Sequence, residues 1–397
     1  MAEAEVTDEA TKRGGAAGRA RKLRKLAFSV ALTVALLEGA LWLGHPLSLF
    51  PDEWKCEYEQ NLPGLKSRVV YERNAQGFRF VPRAGRRGTR KPAGTVRIAC
   101  LGASTTDLPT QNAADTWWGV LEQRLRERFG PRGLEIEIWA RGRGGECASD
   151  TLYWAQRGLA AVQPDLVILL QGINDLCYHG GPGYAYAPGA AAAAVAAKEW
   201  HAFPVWKKAL RRVSQTYRHL ARLRHQWRIR SELRRGASLE WHSSALPELR
   251  QVRRQRPYGE TLARNPDPLA EFEDATRRLL VWLRERGMPC VVLSQPALWK
   301  PRMTEAEEGL LWMPVATPAG FARPGLPWLA AELARYNEAL RRLAEAEGAR
   351  FVDAAVAVPR TPEMFFDDCH FTDAGNRVLA EALVEPIAAA LEQTRRR

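Results

Sequence analysis

The sequence predicts an α/β fold with a central parallel sheet, preceded by one N-terminal transmembrane helix. Three observations carry this reading. Short apolar runs alternate with amphipathic stretches from residue 96 onward, Gly-rich turns close those runs, and an apolar segment from Leu26 to Leu43 stands behind a basic leader. With 397 residues, 46% of them hydrophobic, the chain has room for one large domain or two ordinary ones, and wholesale disorder is excluded.

Residues 1–25 are polar, small and basic, and no fixed structure is expected there. The segment 26–43 (LAFSVALTVALLEGALWL) is apolar except for Ser29, Thr33 and Glu38. As a helix it would span about 27 Å, just enough for a bilayer core of about 30 Å. Basic residues precede it while Asp52 and Glu53 follow, which puts the N-terminus in the cytoplasm and the remainder outside. The expectation is a single-pass signal anchor, with the membrane as partner and an extracytoplasmic domain. A cleaved signal peptide is a rival, although no convincing A-x-A site follows; a buried core helix is another, and Glu38 favours it. Residues 44–95, with Pro/Gly turns and many arginines, are expected to form a stalk and lead-in.

The domain is expected over 96–391. The run from Val96 to Leu101 reads as a buried strand that ends at Gly102 and delivers Ser104 just past its carboxyl end. Helical spacing over Trp117 to Phe129 stops at Gly130-Pro131. Leu134 to Trp139 alternates like a strand and runs into Arg141-Gly142-Arg143-Gly144-Gly145. A helix-like stretch, Thr151 to Val162, leads to the strand Leu166 to Leu170, which ends at Gly172-Ile173-Asn174-Asp175. Such a βαβ alternation implies parallel strands with right-handed crossovers.

Pro182 to Pro257 interrupts the pattern. Between Lys198 and Arg256 sixteen basic residues face four acidic ones, so one insertion carries nearly all of the net charge of +13. Nucleic acid or an anionic membrane surface are the partners such a patch suggests, and an outward address argues against nucleic acid. The segment Arg211 to Arg235 has apolar residues at helical intervals, suited to a helix lying on the domain or on lipid headgroups. The alternation resumes with a helix (Leu269 to Arg286), a strand (Cys290 to Ser294) and a Pro/Trp-rich loop to Pro327. Helix Trp328 to Glu347, strand Arg350 to Val352 and a last helix from about Thr372 to Leu391 complete the chain.

The six cysteines show no CxxC pair and no zinc spacing. Cys100 and Cys290 lie in strand-like runs as small hydrophobes. Cys147, Cys177 and Cys369 each sit within three residues of a polar block; they could converge as a disulfide or metal site, and buried inert thiols are expected. The histidines at 179, 201, 219, 225 and 242 are expected at the surface or in packing roles.

Near the C-terminus stands Asp367-Asp368-Cys369-His370, entering the last helix. A hydroxyl nucleophile needs a base to take its proton, and the base needs a carboxylate to hold its tautomer. Ser104, His370 and Asp367 supply those three roles. Taken alone, Asp-x-x-His is also an ordinary helix cap, and Gly102-Ala103-Ser104-Thr105 an ordinary strand-to-helix turn. Acyl transfer further needs donors aimed at an oxyanion. Gly145 offers a backbone N–H, Asn174 a side-chain amide, and Ser104 its own N–H. Three strands deliver these residues to one rim of a parallel sheet, the edge where such sheets bind ligands.

The four blocks, in this order, resemble the SGNH/GDSL hydrolase superfamily. The resemblance runs from about residue 74 to 390 and includes Asn74-Ala75-Gln76-Gly77-Phe78-Arg79, which is similar to a lead-in of membrane-anchored, extracytoplasmic members. It implies a three-layer α/β/α sandwich of flavodoxin-like type. It also implies Ser104 as nucleophile and first oxyanion donor, Gly145 and Asn174 as further donors, His370 as base and Asp367 as its orienter. Ala103 replaces the Asp of the GDSL signature, and Ala140 stands where many members have Asn. Arg141, Arg143 and Glu146 predict a charged pocket rim, and Asp368 rivals Asp367 as the orienting carboxylate.

The function so predicted is a serine esterase that removes a small acyl group, such as O-acetyl, from an envelope glycan or lipid, with an acyl ester as substrate. No cofactor and no metal enter this reading. An O-acetyltransferase would use the same triad, and a non-catalytic assembly protein could keep the fold; the intact Ser104, Asn174, Asp367 and His370 argue against the latter.

Overall fold

A computed structural model of the chain describes residues 21–22, 24–41, 43, 54–74, 76–83, 91–179, 210, 214–220, 223–224, 227, 246–264 and 267–396. The chain divides into two compact units: Met1–Pro51 with Ala202–Ile229, and Asp52–His201 with Arg230–Arg397.

In the first unit residues 24–41 are helical. The expected transmembrane helix over 26–43 is not supported, because no helix among the described residues is long and apolar enough to cross a membrane. Arg24 and Lys25 belong to the helix, and Glu38 lies within its apolar run. The Glu38 carboxylate accepts hydrogen bonds from Ser214 Oγ (2.8 Å), Thr216 N (3.0 Å) and Gln215 N, so it caps the helical stretch 215–220. Most of the basic insertion lies outside the described residues.

The second unit opens with a hairpin, β1 (Trp54–Glu59) and β2 (Arg68–Arg73), and the two-residue strand β3 (Arg79–Phe80). Then come β4 (Thr95–Gly102), α1 (Ser104–Asp107), α2 (Trp117–Phe129), β5 (Glu135–Arg141), α3 (Ala148–Gly158), β6 (Leu166–Leu170) and α4 (Ile173–Tyr178). After the insertion follow α5 (Leu246–Gln255), β7 (Tyr258–Gly259), α6 (Pro268–Glu285) and β8 (Cys290–Leu293). The last elements are β9 (Val315–Thr317), β10 (Gly320–Pro324), α7 (Leu326–Ala346), β11 (Arg350–Val352) and α8 (Asp373–Arg396).

Six strands form the main sheet in the order β11-β8-β6-β4-β5-β3. All neighbours are parallel except β3, which runs antiparallel to β5 at one edge. The sheet is thus mostly parallel, with its antiparallel edge supplied by the lead-in. Strands β6 and β8 are buried along their whole length, as strands covered on both faces must be. Helix α2 packs on α8, and α3 on α6, which also meets α7. β4 is central. The chain leaves it for β5 on one side and later returns to β6 on the other, so a switch point opens beyond its carboxyl end. In register, Leu101 faces Arg141 and Gly102 faces Leu170, which aligns the three loops after these strands.

Candidate active site

Ser104 is the first residue of α1, directly after β4. Glycine is required at two places around it. A Cβ on Gly102 would stand 2.2 Å from the Leu170 carbonyl oxygen, and one on Gly142 would stand 2.1 Å from that of Ala103. α1 is only one turn long, so its carbonyls need partners outside the helix. The indoles of Trp117 and Trp118 donate to the carbonyls of Thr105 (3.0 Å) and Thr106 (2.9 Å). The buried Arg79 guanidinium donates to the carbonyls of Asp107, Leu108 (2.8 Å) and Gln111 (2.7 Å). Leu108 is held there in the left-handed region at φ 46°.

The loop after β5 carries Gly145, whose φ of +81° favours glycine. Arg141 donates to both carboxylate oxygens of Glu146 at 2.8 Å, and its guanidinium lies 4.8 Å from the centre of the Trp154 ring. Both side chains are nearly buried. The expected charged rim is therefore corrected at these two positions: the groups face each other. Burial pushes the Glu146 carboxyl up from its ordinary value, with Arg141 opposing. Asn174, on the first turn of α4, donates through Nδ2 to the Glu146 carbonyl at 2.8 Å, linking the second and third loops. Beside it the Asp175 carboxylate accepts from Ala148 N at 2.9 Å, at the start of α3.

His370 Nδ1 lies 2.7 Å from Asp367 Oδ2. Asp367 also accepts from His370 N (2.8 Å), Cys369 N (3.0 Å) and the Trp312 indole (2.9 Å). Burial alone would raise the Asp367 carboxyl, but the imidazole and these donors hold it well below the usual carboxylate range. Burial disfavours the His370 imidazolium too, yet the Asp367 charge outweighs it and raises the imidazole above its ordinary 6.5. Asp368 points elsewhere. It accepts from the Trp299 indole (2.9 Å), Trp312 N (2.7 Å) and Met313 N (3.1 Å), pinning the loop that carries Trp312.

Ser104, Gly145, Asn174 and His370 line one cavity of about 470 Å³, walled further by Tyr178, Trp312 and Met313. That volume is in the range of small-molecule sites. All five residues singled out in the sequence are thus in or directly behind one cleft, with Asp367 behind His370. Sequence reading missed Trp312, Arg79 and the Trp117–Trp118 pair. The Pro/Trp-rich composition of the 295–327 loop and the Asn74–Arg79 block were the signals that could have found them. Cys100, Cys147, Cys177, Cys290 and Cys369 are buried free thiols. His179 is buried, while His201, His225 and His242 lie outside the described residues.

No curated protein matches the chain. Among solved structures, the acetyl xylan esterase AlAXEase is 13% identical, with 74% of this chain and 100% of that chain covered and a TM-score of 0.39. The acetylxylan esterase Axe2 from Geobacillus stearothermophilus is 13% identical over 74% of this chain and 94% of that chain, again at 0.39. At those values neither likeness adds to the argument. The GDSL-like Lipase/Acylhydrolase family matches residues 100–378, most of the chain and all four blocks. The chain belongs to this GDSL-like lipase/acylhydrolase family, and is a carboxylic ester hydrolase.

Proposed function

We propose that the protein hydrolyses a short acyl ester, such as an O-acetyl group, through an acyl-enzyme on Ser104. Asp367 holds the His370 tautomer with its proton on Nδ1, leaving Nε2 to accept the Ser104 proton. Ser104 Oγ attacks the ester carbonyl carbon. The oxyanion is met by the N–H groups of Ser104 and Gly145 and by the Asn174 amide, whose second N–H remains for it beside the bond to Glu146. The imidazolium returns its proton to the departing alkoxide, and water activated by the same imidazole releases the acid. One observation carries the reading: Ser104 and His370 open on the same cavity while the far nitrogen of His370 is bound to Asp367.

The aromatic wall of Tyr178 and Trp312 in a cavity of about 470 Å³ supports a short acyl chain on a larger alcohol, glycan or lipid. A fluorophosphonate that modifies Ser104 tests the class. Labelling is expected in the parent and absent in folded Ser104→Ala; a label on another residue, or undiminished labelling of the variant, overturns the assignment.

A further inference from the structure

Next to the cleft, yet lining no part of it, three side chains of metal-binding type converge. Cys147 precedes α3, Asp175 lies on α4 and His179 follows one turn later. All three are buried, and a sulfur, a carboxylate oxygen and an imidazole nitrogen from them lie within 4.8 Å of one another. The proposed hydrolysis uses none of them.

The separations are ones that a single shared ion could bridge. His179 Nε2 stands 3.7 Å from Asp175 Oδ1, too far for a hydrogen bond. Two ligands each about 2.0–2.1 Å from a tetrahedral zinc ion stand roughly 3.3 Å apart, so a small adjustment would let both hold one ion. Asp175 Oδ1 already accepts from Ala148 N, but its fully buried Oδ2 has no hydrogen-bond partner among the described residues. On the other side of the imidazole, Nδ1 faces Glu271 Oε2 at 3.7 Å. That contact is no direct hydrogen bond either, but the same small adjustment that seats the imidazole on an ion could bring Glu271 behind its second nitrogen, where a carboxylate orients a metal-bound histidine. Thiolate, carboxylate and imidazole together match a borderline ion such as zinc, whereas magnesium and calcium take oxygen ligands. The two anionic ligands would balance a doubly charged ion in this dry setting.

We propose that Cys147, Asp175 and His179 form a site for a zinc-class divalent cation, with water completing its coordination and Glu271 orienting the histidine. The ion would join the start of α3 to α4. Gly145 lies two residues before Cys147 and Asn174 is adjacent to Asp175, so occupancy would brace both loops that carry oxyanion donors.

Cobalt(II) added to the chelator-stripped full chain provides the test, read by the near-ultraviolet charge-transfer band of a cobalt-bound thiolate. One equivalent is expected to bind and to produce that band, and Cys147→Ser to abolish it. Glu271→Gln should weaken binding about tenfold. Cys369→Ser, in the Asp367–Cys369–His370 cluster, should leave the band intact. Should Cys147→Ser fail to fold, His179→Ala carries the test by losing the bound equivalent. Absence of binding, a band that survives Cys147→Ser, tight binding by His179→Ala, or loss of the band in Cys369→Ser each overturns the proposal.

Discussion

The indole of Trp312 donates to Asp367 Oδ2 at 2.9 Å, the same oxygen that holds His370 Nδ1. Trp312 also forms part of the cavity wall, so one side chain touches both the substrate space and the buried carboxylate behind the base. Its backbone N–H is in turn fixed by Asp368. The two adjacent carboxylates thus divide their work: Asp367 orients the imidazole, and Asp368 anchors the loop that brings Trp312 to it.

Trp312→Phe keeps most of the wall and removes the N–H. A hydrogen bond to a charged group contributes about 1.5–3 kcal/mol, so kcat should fall roughly 10- to 100-fold if the loss is felt mainly when the imidazolium forms. KM for p-nitrophenyl acetate should change little. A variant altered only in KM would reduce Trp312 to a wall of the pocket.

The pH dependence follows from the sign of the His370 shift. The base works only when neutral, and its imidazole is raised above 6.5 chiefly by the Asp367 charge against the opposing effect of burial. The acid limb of kcat/KM should therefore have its midpoint above pH 6.5 in the free enzyme. Replacing the charge, in Asp367→Asn, should move that midpoint down while lowering the plateau. A profile flat from about pH 5 to 8 would remove His370 as the base.

Arg141 and Glu146 form a buried bidentate pair in the loop that carries Gly145. Removing only Arg141, in Arg141→Met, strands a buried carboxylate and should cost about 3–5 kcal/mol of stability. Because burial already raises the Glu146 carboxyl, the variant can relieve the strain by taking up a proton. The loss should accordingly be smaller at pH 5 than at pH 8 in urea unfolding. Arg141→Met combined with Glu146→Leu should recover most of it. Equal destabilisation in the single and double variants would show that packing on Trp154, rather than charge, is what Arg141 provides.

These features differ in how legible they were beforehand. Ser104, Gly145, Asn174 and the Asp367–His370 pair each belong to a contiguous block at a strand end, where the need for a tight turn or a local hydrogen bond is written in adjacent residues. Trp312 is not of that kind. It reaches Asp367 only because a long loop is folded around Asp368, and nothing in the neighbouring sequence says where its N–H will point. Arg141 and Glu146 read as rim charges when taken singly, since a five-residue separation across a glycine turn does not announce a pair. The antiparallel β3 edge escaped for a related reason: two residues carry no periodicity. At the N-terminus hydropathy suggested a span, while Glu38 takes part in a helix cap that only the fold reveals.

Arg79 offers the strongest test of how the lead-in serves the site. Its guanidinium bonds three carbonyls, of Asp107, Leu108 and Gln111, immediately after the turn that presents Ser104. Tyr71 adds to the same arrangement, donating to the Asp107 carboxylate at 2.8 Å beneath the Arg79 guanidinium. Arg79→Met would leave those buried carbonyls without their donor, each at a cost of about 1–3 kcal/mol with incomplete additivity. A total loss of about 3–5 kcal/mol is expected in urea unfolding. If the guanidinium also positions Ser104, the folded variant should react with a fluorophosphonate more slowly than the parent. Lysine at this position can supply donors but not a planar fork, so Arg79→Lys should recover part of the stability and little of the labelling rate. Full labelling rates in a destabilised Arg79→Met would confine the residue to holding the fold and separate the lead-in from the chemistry.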